Sequence, residues 1–102
     1  MTKLKIGGGV VEVIEAVMDE YGRYEADKEV IYIRTGLKGL TKARTQLHEV
    51  IHAIWHEYDM PTENEETCVR RLESGLAAFI SNNPEFAKKI VSEIVKHGDK
   101  SS

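Results

Sequence analysis

Residues 41–58 read Thr41-Lys42-Ala43-Arg44-Thr45-Gln46-Leu47-His48-Glu49-Val50-Ile51-His52-Ala53-Ile54-Trp55-His56-Glu57-Tyr58. Leu47, Val50, Ile51, Ile54 and Tyr58 recur at helical spacing and form one apolar stripe. Thr41 is expected to cap this helix. Pro61 should end it near Asp59, because proline disfavours helical backbone in the residue before it. Just upstream, Val30-Ile31-Tyr32-Ile33-Arg34 is short, β-branched and aromatic, the pattern of a strand. The chain therefore changes period near residue 40, and that change decides the fold class.

Working outward, Tyr24-Glu25-Ala26 is the expected hairpin partner of that strand, with Asp27-Lys28 in the turn. Val10, Val11, Val13, Ile14 and Val17 favour a further strand, although Glu12, Glu15 and Ala16 leave a helix open. Gly7-Gly8-Gly9 before them reads as a bend. Downstream, Thr62 with Glu65 makes a capping-box pattern for a second helix. Its expected buried stripe is Val69, Leu72, Leu76, Phe79 and Ile80, and Gly75 allows a neighbour to approach closely. Asn82-Asn83-Pro84 breaks that helix. A third, over residues 84–97, carries Phe86, Ile90, Val91, Ile94 and Val95. The expectation is an α+β domain spanning 1–102. A small sheet of two to three strands lies in 1–40, three helices in 41–97, and a frayed tail in 98–102.

A chain of 102 residues makes one domain and leaves little room for a separate substrate domain. Any site must therefore lie on the core elements. Lys and Arg number 14 against 17 Asp and Glu, a net charge of −3. That balance gives no electrostatic reason to expect nucleic acid or an anionic membrane as partner. No apolar run approaches the ~20 residues of a membrane helix. The lone Cys68 cannot form an internal disulfide and suits a reducing compartment. A cytoplasmic protein is expected, since the two N-terminal lysines lead into no apolar signal sequence.

The chemistry lies in His48-Glu49-Val50-Ile51-His52, an H-E-x-x-H pattern. Residues four apart share a helix face, so both imidazoles can reach one ion. The Glu49 carboxylate, about 100° further round, can take a proton from a water that zinc has acidified. By the helical wheel the histidines flank the apolar stripe, and Glu49 points towards solvent or a cleft. His56 continues the line, but three histidines down one helix span about 12 Å, too far for one ion. His97 and Glu73 are lesser candidates for a third ligand. The acidic cluster Glu63, Glu65, Glu66 is the stronger source, because a short loop would bring it near the end of the first helix. Glu65 projects along the apolar stripe, where a carboxylate needs a partner, and Glu66 lies on its flank. Trp55 is expected to pack between helices, and Tyr21, Tyr24 and Tyr32 on the sheet.

The stretches Thr45-Gln46-Leu47-His48-Glu49-Val50-Ile51-His52-Ala53 and Glu65-Glu66-Thr67-Cys68-Val69-Arg70-Arg71-Leu72-Glu73-Ser74-Gly75-Leu76 resemble a group of very small phage and prophage metallopeptidase-like proteins. These are similar to minimal gluzincins and, more distantly, to the ImmA/IrrE metallopeptidases. The likeness covers residues 22 to 83. It implies a zincin-like core and one zinc per chain held by His48, His52 and a second-helix glutamate, with Glu49 as general base. The spacing to Val69 favours Glu66 as third ligand, while the wheel favours Glu65. It also implies a peptide or protein substrate. The rival expectation is a non-catalytic, zinc-stabilised interaction module of phage origin. No oxyanion-binding residue follows the motif; Tyr58, Tyr32 and Arg34 are the nearby polar groups.

Overall fold

A computed structural model describes residues 2–60 and 65–98; the side chains of Glu65, Glu66 and Val69 lie outside the described set. The architecture is α+β, with a mixed four-stranded sheet followed by three helices. The strands are β1 (Thr2–Ile6), β2 (Gly9–Ala16), β3 (Gly22–Glu25) and β4 (Val30–Arg34). The helices are α1 (Gly39–Glu57), α2 (Glu65–Asn82) and α3 (Pro84–Gly98). The sheet has one strand more than the composition of residues 1–40 suggested. The missed strand is β1, a short segment in which Leu4 and Ile6 point inward while Lys3 and Lys5 point to water. Gly7-Gly8 turns it back onto β2 as a hairpin, and Gly7 takes the left-handed backbone (φ 61°) that this reversal requires.

Strand order is β1-β2-β4-β3. β2 and β4 run parallel, and β1 and β3 pair antiparallel on the two outer sides. Alternation puts Leu4, Ile6, Val11, Ile31 and Ile33 on one face, where they are buried under the helices. The other face is wet: Val10 is half exposed, and Arg23 lies over the Tyr32 ring at 5.8 Å. The two sheet edges differ. At β1, the Asn83 side chain accepts from the Lys5 amide and donates to the Lys5 carbonyl, both at 3.0 Å. It thereby occupies edge groups that would otherwise recruit another strand.

α1 lies across the sheet through Ala43, Val50, Ala53 and Ile54, which are buried. It starts two residues before Thr41 and has no side-chain cap. Thr41 lies inside the helix, and its carbonyl accepts from the Thr45 hydroxyl at 2.8 Å. Leu47, Ile51 and Tyr58 are only half-buried. The proposed cap Thr62 lies outside the described residues. α2 crosses α1 at Gly75, where an added Cβ would meet the Ile54 methyl at 2.5 Å and the Tyr58 ring at 3.2 Å. Arg71 donates to the last carbonyls of the α1 end, Tyr58 and Asp59 (3.1 and 2.6 Å). In α2, Phe79 is buried but Ile80 is exposed; in α3, Ala87 and Ile90 are buried while Val91 and Val95 are exposed. The apolar stripes of both helices are wider than the faces that meet neighbours. No helix among the described residues is long and apolar enough to cross a membrane.

Candidate metal centre and cleft

The helical period sets His48 and His52 on one exposed face of α1. Their rings meet edge to face with centroids 4.7 Å apart, and the two Nε2 atoms are 3.1 Å apart. Both rings thus bring the same nitrogen to one place on the helix face. Two nitrogens on a tetrahedral zinc with Zn–N of about 2.0–2.1 Å stand about 3.3 Å apart. The pair is within a few tenths of an ångström of that spacing, which is also the length of a hydrogen bond between one protonated and one bare ring nitrogen, so the two rings supply two of the donors a zinc ion would need.

Glu49 does not point to open solvent. It is 6% exposed, the one buried charged residue among those described. The cause is β3. Gly22 crosses directly above α1, and a Cβ there would stand 2.8 Å from the Thr45 methyl and 3.1 Å from Glu49 Oε2. Only a glycine lets the strand come this close. Burial pushes the Glu49 carboxyl above its ordinary range; charged His48 and His52 would pull it back down, and Glu20 adds to the rise.

The space between α1 and β3 is a cleft with two hollows, of about 540 and 400 Å3, which share Gly22, His48 and Glu49. The larger continues along α1 past His52 to Trp55 and His56, and also takes in Glu20 and Tyr24. The smaller leads back to Arg44 and Tyr21. Trp55, expected between helices, is 41% exposed and stands in the cleft. Its backbone carbonyl accepts from the Met60 amide at 3.2 Å.

The cleft wall is an open sheet edge. Arg34 N–H donates to the Tyr21 carbonyl at 2.8 Å. In an antiparallel ladder, alternate residues turn their backbone groups to the partner strand. With Gly22 opposite Ile33 and Tyr24 opposite Ile31, the backbone groups of Arg23 and Glu25 face β4. Those of Gly22 and Tyr24 face outward. The Tyr24 hydroxyl is buried without a partner among the described residues, and burial holds its phenol protonated, with Glu57 and Glu29 adding to the effect.

The other sequence candidates stand apart from the histidine pair. His56 lines the far end of the larger hollow, against Tyr24 (ring centroids 6.1 Å apart). His97 pairs with Glu93 on α3 at 3.1 Å, and Glu73 is exposed on α2. Tyr58 packs on Gly75, Tyr32 lies under Arg23, and Arg34 stacks on Tyr21; none of the three lines the hollows beside the histidines. Glu65 and Glu66 begin α2, and their side chains lie outside the described residues, as does Glu63. At Gly75, α2 meets α1 on Ile54 and Tyr58, and Ile54 is about 160° round the helix from His52. Among the described residues, no group of three metal-binding side chains forms. The residues missed by sequence reasoning are Gly22, Tyr24, Glu20 and Trp55. Only the period-two spacing of Gly22 and Tyr24 in a short strand could have pointed to a shared face. No family model, curated protein or solved structure matches this chain.

Proposed function

We propose that the chain is a minimal zinc-dependent peptide hydrolase. The observation that supports this best is the convergence of the His48 and His52 Nε2 atoms at 3.1 Å, beside a buried carboxylate in a cleft walled by an open strand. His48 and His52 would hold one zinc, with Glu66, or Glu65 in its place, as the third ligand. Bound there, the ion would supply Lewis acidity to a scissile carbonyl and to a water. A zincin-like core on this reading consists of α1 beneath and β3 beside the reacting peptide.

The chain's own groups have separate tasks. The outward N–H and C=O groups of Gly22 and Tyr24 would hold an extended peptide by strand addition, a role the Asn83 clamp denies to β1. Glu49, one position from His48, would take a proton from the attacking water as its oxygen bonds to the carbonyl carbon. It would then deliver that proton to the amide nitrogen as the C–N bond breaks, leaving a carboxylate and an amine. Burial beneath β3 favours a carboxylate able to hold the proton between those steps.

Metal removal tests this. Zinc-loaded protein incubated with a mixed peptide digest should generate new termini, detected by mass spectrometry, and chelator-treated protein should generate none. Glu66→Gln and Glu65→Gln are expected to differ, with zinc lost from the variant that removes the third ligand. A protein that binds zinc but yields no new termini would favour the non-catalytic module.

A further inference from the structure

The two ends of the cleft are chemically unlike. Arg44 and Trp55 both lie on α1, on the flank of the cleft away from β3. They lie within about 20° of each other around the helix and roughly 16 Å apart along it. His48 and His52 lie between them. In the smaller hollow Arg44 is exposed, and no carboxylate among the described residues pairs with it. Its neighbour Tyr21 lines the same hollow and carries the Arg34 guanidinium on its ring at 5.8 Å, outside the hollow itself. In the larger hollow the exposed Trp55 indole offers an apolar wall, and the guanidinium that also lines it, Arg23, is already paired with Glu20 and Glu25 at 3.6 Å.

The geometry points to a peptide selected by two groups: a carboxylate at the Arg44 end and an aromatic or long aliphatic side chain at the Trp55 end. About 16 Å corresponds to about five residues of extended chain, so the two groups should stand about five positions apart, with the histidines facing the bonds between them. This rests on the reading of the cleft as a peptide site, and it names the substrate class that site accepts. The carboxylate can come from an internal Asp or Glu or from a free C-terminus, and both present the same bidentate partner to a guanidinium.

Binding in chelator separates this from catalysis and from carboxylate on metal. The probes are dye-labelled, otherwise Gly/Ser peptides. They carry Phe and Glu five positions apart in either order with an amidated end, Phe with a free C-terminus at that distance, each group alone, or both groups two apart. Fluorescence anisotropy and Trp55 emission are read with the full chain. In the preferred order, peptides with both groups at the long spacing should bind about tenfold tighter than either single-group peptide and shift Trp55 emission. Comparison of the internal Glu with the free C-terminus identifies the carboxylate source. Arg44→Gln should remove the gain from the carboxylate and Arg44→Lys keep part of it. Trp55→Ala should remove the gain from Phe, and Trp55→Phe retain it. Affinities within about twofold across the set, no binding, or gains that survive Arg44→Gln and Trp55→Ala would overturn the proposal. Failure of zinc binding would instead strike the hydrolase reading, since these affinities are measured without metal.

Discussion

Glu49→Gln is expected to lower peptide hydrolysis by about 10²–10⁴-fold while leaving zinc bound. Glutamine fills the same volume beneath Gly22 but cannot accept and return a proton. Because Glu49 is not a proposed ligand, the metal content should not change. Hydrolysis at the wild-type rate in zinc-loaded Glu49→Gln would show that another group takes the proton. The substitution has a second readout without metal. Burial raises the Glu49 carboxyl, so the folded chain holds this proton more tightly than the unfolded one. Stability from this group is therefore lost as pH rises from the unfolded pKa through the folded one. Metal-free Glu49→Gln should melt above wild type at neutral pH, and the gap should close as pH falls below the ordinary carboxylate range.

Gly75→Ala is expected to destabilise the fold by about 1–3 kcal/mol, the usual cost of overpacking. The new methyl would lie 2.5 Å from the Ile54 methyl and 3.2 Å from the Tyr58 ring. Ile54 is fully buried and sits against the core of the sheet, so it cannot swing aside, and α2 must move away from α1. For a domain of this size, about 2 kcal/mol corresponds to a fall in melting temperature of roughly 10 °C. Denaturant midpoints should shift likewise at unchanged slope. An unchanged midpoint would mean that α2 does not press on α1 here.

Much of this was legible because local patterns carried it. The strand Val30–Arg34 and the long helix bearing His48 and His52 follow from composition and period alone, and Gly75 was readable as a close-approach residue. The surface partition of the last two helices was not. Ile80, Val91 and Val95 complete apolar stripes, but a stripe does not say how much of it a neighbour covers, and α3 presses on the rest of the fold through Ala87 and Ile90. β1 was overlooked because two lysines dilute a short alternation. The burial of Glu49 and the exposure of Trp55 depend on where β3 crosses α1. That crossing is set by Gly22, a residue whose role is only visible once strand and helix are in contact. The closeness of His48 and His52 was legible since a four-residue spacing fixes a helix face, whereas any third ligand proposed from α2 would depend on how that helix docks.

On the proposed reading, His48 and His52 converge to hold a metal ion. Isothermal titration of zinc into chelator-stripped protein, with metal content measured independently, tests it most directly. About one zinc per chain should bind to wild type and to His56→Ala, and binding should be lost in His48→Ala and in His52→Ala. Failure of zinc to bind the wild-type chain, or wild-type binding in both histidine variants, would mean that these two rings do not hold a metal ion.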